Sequence, residues 1–365
     1  MRRRISRLLI GAILVGVVTF AVGEIFVRLA VGAPGHLLYT GSFRDVQTDW
    51  DIVYDVDANG VRVTCAPEPK LPEARRFAVI GDSFAFGQGV EDCADFVSRL
   101  NAISPSWAFE NLGLIGGGLP EYILVARDLI RPDHAGVLLL VFGNDVGLID
   151  SARGTLGKLA DRFSIVSLVR KAKRAWIVAR AARARDERGA STAAPATATT
   201  QRGDTDGSRD STGPISFYGD RPNNTLSALN EDPDALRKGV EPEPGRVEYF
   251  RAKFDELAAL LAARIDPASV YVAMVPSGHV VSKRMHHFVI EHGGSVAPFG
   301  EPGSAYALVR ELAEAHGFHF IDTFPAFLRN GDALYHPHDM HWSPQGHARM
   351  AEIVREELDL DGDGG

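Results

Sequence analysis

Cysteine is scarce in this chain: 365 residues contain two, Cys65 and Cys93, too few to build a zinc site unaided. In an oxidising compartment such a pair is a candidate disulfide; the alternative is two unpaired, partly buried thiols, and the Cα separation decides between them. A basic excess is also missing. The 39 Lys and Arg stand against 47 Asp and Glu, a net charge of -8, which argues against nucleic acid as a partner, because such binders carry a basic face over much of the domain. The glycines Gly116, Gly117 and Gly118 come without a Walker lysine or a dinucleotide-binding spacing, so no nucleotide cofactor is expected. Core material is not lacking. With 45% hydrophobic and 24% charged residues, the chain has enough for one sizeable globular core.

One long apolar stretch is present. Arg2, Arg3, Arg4 and Arg7 precede an uncharged run from Leu8 to Gly23, and apolar residues continue through Ile25, Phe26, Val27, Leu29, Ala30 and Val31. Leu8 to Val31 is long enough to cross a hydrocarbon core if Glu24 and Arg28 snorkel outward. Residues 1–32 therefore read as cytoplasmic arginines and a transmembrane helix, with everything after them on the extracytoplasmic side, periplasmic or extracellular. A cleaved signal peptide, with Ala21 and Gly23 as the small residues before Glu24, is the alternative. Either way the domain leaves the cytoplasm.

From about Arg76, short apolar runs alternate with helical periodicity, the pattern of an α/β fold with a central parallel sheet. The expected strands are Phe77 to Ile80, Ala108 to Asn111, Val137 to Phe142, Val270 to Val275 and Phe318 to Ile321. Phe250, Phe254, Leu257, Leu261 and Ile265 recur on one face of a helix before the fourth strand and read as core. Residues 33–75 are a Gly-, Pro- and Asp-rich lead-in expected to be irregular, with a turn signal at Asn59-Gly60. The domain is expected over 76–358, interrupted by a polar insert at about 186–214 too poor in apolar residues to order itself, and followed by an acidic tail, 359–365. Arg170 to Arg185 carries a basic amphipathic pattern that suits anionic headgroups or, equally, a solvated helix.

The chemistry sits in short motifs. Gly81-Asp82-Ser83 directly follows an expected strand, which puts a serine hydroxyl at the carboxyl end of the sheet, where open α/β folds place their sites. Near the C-terminus, Asp339-Met340-His341-Trp342-Ser343-Pro344 places a histidine just ahead of a helix that Ser343 caps and Pro344 starts. A serine is a poor nucleophile until an imidazole accepts its proton, and the imidazole needs a carboxylate to fix its tautomer. Asp339 is the nearest candidate.

Together with Asn111 through Gly116 and Gly143-Asn144-Asp145, these motifs resemble the four ordered blocks of the SGNH (GDSL-like) hydrolase superfamily, across residues 76 to about 357. The resemblance implies a three-layer, flavodoxin-like fold and a serine esterase or acyltransferase mechanism with no cofactor. It assigns Ser83 as nucleophile, His341 as base and Asp339 as acid, with oxyanion donors at the Ser83 and Gly116 N–H groups and the Asn144 amide. One departure is the two-residue spacing of Asp339 and His341, where many members have three. Asp82 is expected to brace the nucleophile turn. His336, His338, Asp339 and His341 are also metal-ligand types, but the family roles already use two of them, so no metal is expected. The address outside the cytoplasm suggests an ester substrate on a cell-envelope glycan or lipid. An O-acyltransferase using the same triad, or a silent binding or scaffold protein, are the alternatives.

Overall fold

The computed structural model describes residues 19–26, 41–57, 61–63, 65, 71, 73–103, 106–147 and 224–360. Most of the expected anchor, the Asn59-Gly60 turn, the Arg170 to Arg185 stretch and the insert at about 186–214 lie outside them; of the anchor, 19–26 is described and is helical. Among the described residues no helix is long and apolar enough to cross a membrane.

The lead-in, expected to be irregular, instead forms an antiparallel hairpin of β1 (Gly41–Val46) and β2 (Asp51–Val56). Its period of two was hidden because an outward position is also apolar: Ile52, Tyr54 and Val56 face inward, while Asp51, Asp55 and the apolar Val53 face solvent. The inward face joins Trp50, Phe86 and Ile115 in a small apolar cluster of its own. Further along, Cys65 and Cys93 are bonded as a disulfide with their Cα atoms 5.0 Å apart.

The central sheet has five parallel strands: β3 (Arg75–Gly81), β4 (Trp107–Gly113), β5 (His134–Val141), β6 (Val270–Met274) and β7 (His319–Ile321), in the order β4-β3-β5-β6-β7. Each overlaps one of the five apolar runs expected to be strands. These runs lack alternation because helices cover both faces of a parallel sheet; β5 is buried at every position but one. A four-residue helix, α1 (Ser83–Phe86), follows β3. Helix α2 (Phe96–Ile103) packs with the C-terminal helix Pro344–Glu357, and α3 (Leu119–Asp128) packs with the helix Pro244–Ala262, so two helix groups flank the sheet as outer layers. The apolar stripe Phe250, Phe254, Leu257 and Leu261 is buried as its spacing requires.

The strand order decides where a site can form. The chain passes from β3 outward to β4, then crosses back beyond β3 to β5, the 2-1-3-4-5 order of a flavodoxin-like sheet. The switch point is at β3, and open sheets of this order place their sites beyond its carboxyl end. Gly81-Asp82-Ser83 is the segment that leaves that end.

Candidate active site

The turn carrying Ser83 is fixed from several sides. Asp82 caps α1, its Oδ1 accepting the Phe84 N–H at 2.9 Å. The helix ends at Gly87, whose φ of 87° is left-handed and whose N–H donates to the Ser83 carbonyl at 3.0 Å. At the end of β4, Gly113 lies so close to α1 that a Cβ there would sit 2.2 Å from the Phe86 nitrogen. Asn111 accepts the Gly113 N–H at 3.0 Å and donates to the Phe86 carbonyl at 3.3 Å.

Arg62 completes the clamp, and nothing in its sequence neighbourhood signalled it. Its buried guanidinium donates to the carbonyls of Phe86 at 3.0 Å, Gly87 at 2.7 Å and Val90 at 3.0 Å, and to Asp92 at 3.2 Å. It lies over the rings of Tyr54 and Phe86 at 4.9 and 5.4 Å. Carbonyls at the end of a helix have no intrahelical partner, and a cation is the favourable one to supply.

The histidine arrives on a tight loop. Ser343 Oγ caps the last helix through the Gly346 N–H and donates to the Ala333 carbonyl at 2.6 Å. The backbones of His336 and His341, and of Ser343 and Leu334, hydrogen-bond across the loop at 3.0 Å, and the fully buried Trp342 packs on Phe84 and Phe327. His341 is thereby held with Nε2 at 2.7 Å from Ser83 Oγ and Nδ1 at 2.6 Å from Asp339 Oδ1. A carboxylate only accepts, so the ring proton sits on Nδ1 and Nε2 is free to take the serine proton. The His341 N–H also donates to Oδ1 at 3.0 Å, which is how a two-residue spacing brings acid and ring together.

Ser83, His341 and Asp339 are all buried, Asp339 completely. Burial pushes the imidazole down, but the charge and hydrogen bond of Asp339 outweigh it and hold the ring above its ordinary value. Asp339 moves the opposite way: burial raises it, and His341 together with the Asn224 N–H lowers it by more.

The expected oxyanion donors stand at the same edge. Ser83, Gly116 and Asn144 lie beyond the carboxyl ends of β3, β4 and β5, three neighbouring strands. Gly116 is exposed with a left-handed φ of 69°, and the Leu114 N–H on the same loop donates to the Gly81 carbonyl at 2.9 Å. Asn144 lies in the short helix α4 (Gly143–Gly147). Beneath them are two buried carboxyls. Burial raises Asp82 to about 6, with the Phe84 N–H, His341 and the nearby Asn144 amide acting against it. Burial and then the Asp82 charge push Asp145 well up, against the Phe142 N–H at 2.9 Å and the Tyr122 hydroxyl at 3.1 Å.

The hairpin forms one wall of the site. Trp50 meets His341 edge-on at 6.0 Å and His336 at 4.9 Å, and its Nε1 donates to Asp45 at 3.0 Å. His336 Nε2 contacts the Gly89 carbonyl at 3.0 Å, while Asp49 accepts the His338 N–H at 2.9 Å and lies 2.8 Å from its ring. These two histidines thus bind the lead-in and the loop after Ser83 to the His341 loop. Among the described residues no group of three or more His, Cys, Asp or Glu side chains is placed to hold a metal ion.

No protein-family model matches the chain, and no curated protein sequence matches it. Solved structures do show similarity. A lipolytic G-D-S-L family member from Veillonella parvula is 12% identical, over 78% of this chain and 99% of that one, with a TM-score of 0.38. A catalytic mutant of an acetylxylan esterase from Geobacillus stearothermophilus is 13% identical, over 79% and 96%, with a TM-score of 0.38. An extracellular lipase from Streptomyces rimosus is 11% identical, over 78% and 99%, with a TM-score of 0.42.

Proposed function

We propose that this chain is a serine hydrolase of the SGNH type that cleaves carboxylic esters through an acyl-enzyme on Ser83. The observation that carries the reading is the unbroken relay from Ser83 Oγ through His341 to Asp339, at 2.7 and 2.6 Å. A serine hydroxyl, an imidazole with a free acceptor nitrogen and a fully buried carboxylate in that order have the geometry of nucleophile, base and orienting acid.

Each step follows from the placement of protons. Ser83 Oγ gives its proton to His341 Nε2 as it bonds to the ester carbon. The carbonyl oxygen takes the negative charge, which the N–H groups of Ser83 and Gly116 and the Asn144 amide are assigned to receive. His341 returns the proton to the alcohol oxygen as the carbon–oxygen bond breaks. Water, deprotonated by the same nitrogen, then bonds to the acyl carbon; the bond from that carbon to Ser83 Oγ breaks, Oγ takes the proton back from His341, and the carboxylic acid leaves. A sugar or lipid hydroxyl in place of water would make the protein an O-acyltransferase.

The disulfide suits an oxidising compartment. With the arginine-flanked apolar N-terminus, it supports a membrane-tethered enzyme facing away from the cytoplasm, acting on esters of envelope glycan or lipid. Turnover of p-nitrophenyl acetate by the parent, Ser83→Ala and His341→Ala tests the chemistry. Hydrolysis by the parent alone is the expected result; equal hydrolysis by all three proteins sinks the reading.

A further inference from the structure

Asp339 has four hydrogen-bond partners, and only two belong to His341. Its Oδ1 takes the His341 N–H and Nδ1–H, while its Oδ2 takes the backbone N–H of Asn224 at 2.7 Å and the Asn224 Nδ2–H at 3.0 Å. An ionised carboxylate offers about four lone-pair sites, so this one is filled by two residues on opposite sides.

We propose that Asn224 is a positioning residue of this site, gripping Oδ2 with main-chain and side-chain donors so that Oδ1 stays aimed at the His341 ring. The proposal rests on the serine-hydrolase reading. A fully buried carboxylate with one neighbouring imidazole needs further donors to remain charged, and Asn224 supplies them with the pre-set geometry of one residue. It is the first residue of the helix Asn224–Glu231, so its side chain serves the acid from the mouth of a helix.

The grip has a chemical consequence. The triad works only if Asp339 keeps the proton of His341 on Nδ1 and stabilises the cation that forms. Loss of the Asn224 amide leaves Oδ2 with the backbone N–H alone and loosens the aim of Oδ1, which slows the attack by Ser83 without touching substrate. His341 also feels Asp82 from the turn after β3, Asp45 from the hairpin, and His336 beside it; the hydrogen bonds of Asn224 go instead to Asp339, so a change there reaches the ring through the acid.

The test uses the full chain with a fluorophosphonate that labels Ser83, and three variants. Asn224→Leu keeps side-chain bulk without a donor, and is expected to label about ten- to a hundredfold more slowly. Asn224→Ser keeps a donor and is expected within about threefold of the parent. Asn224→Ala removes the side-chain donor altogether and is expected to shift or broaden the Nδ1–H proton resonance of His341, which reports its bond to Asp339 and is read by NMR of histidine-labelled protein. Leucine and parent labelling alike, or serine being no better than leucine, would overturn the proposal. If the folded parent does not label at Ser83, the serine-hydrolase reading fails instead, and the His341 Nδ1–H resonance, which needs no turnover, decides: a change in Asn224→Ala supports the grip and no change overturns it.

Discussion

In the proposed mechanism His341 must do two things that conflict in a loosely built site: accept a proton on Nε2 and never lose the one on Nδ1. Its bonds to Ser83 and Asp339 reconcile them, because the carboxylate can only accept and so assigns the tautomer. Asp339→Asn is therefore expected to lower kcat by about a thousand- to ten-thousandfold with little change in KM, since an amide can donate to Nδ1 and move the ring proton onto the nitrogen that must be free. Steady-state kinetics on a p-nitrophenyl ester measures this; a loss of tenfold or less would remove Asp339 from the relay. The pH dependence has a definite sign. Asp339 holds the imidazole above its ordinary value, and only the neutral ring can act as base, so kcat/KM should rise with pH through a midpoint above about 6.5. A midpoint below that value would contradict the coupling.

Among the elements, the hairpin and the residues after it changed most between sequence and structure. The five sheet strands were legible because burial on both faces leaves unbroken apolar runs, and the Ser83 and His341 motifs were legible because each is local in sequence. The hairpin was not. Its outward residues, such as Arg44, Asp51 and Asp55, dominate its composition, and the inward Ile52, Tyr54 and Val56 are too few to stand out without the partner strand. Arg62 was invisible because the hydrogen-bond acceptors of its guanidinium come from the turn after Ser83, more than 20 residues on, and Asn224 because its partner lies 115 residues away. Arg62→Met should leave the carbonyls of Phe86, Gly87 and Val90 short of a buried donor and cost about 2–5 kcal/mol of stability. Urea unfolding of the full chain checks this; a cost under about 0.5 kcal/mol, the range of an ordinary surface substitution, would mean the clamp holds nothing.

On the scale of the whole molecule, the flavodoxin-like strand order puts the candidate site beyond β3 and its neighbours, and the lead-in packs against it through Trp50 and Arg62. The Cys65–Cys93 bond closes a loop with a sequence separation of 28 around this junction, worth about 3–4 kcal/mol by loop-closure entropy. Cys65→Ser with Cys93→Ser should accordingly lower Tm by about 5–15 °C, and a Tm unchanged from the parent would show that the bridge does not support the fold. The central claim is that Ser83, activated by His341, is a nucleophile. Its most direct measurement is fluorophosphonate labelling of the folded chain with peptide mapping by mass spectrometry. One equivalent on Ser83, absent in Ser83→Ala and slowed as His341 is protonated, is the predicted result; a folded parent that takes up no label, or takes it elsewhere, would contradict it.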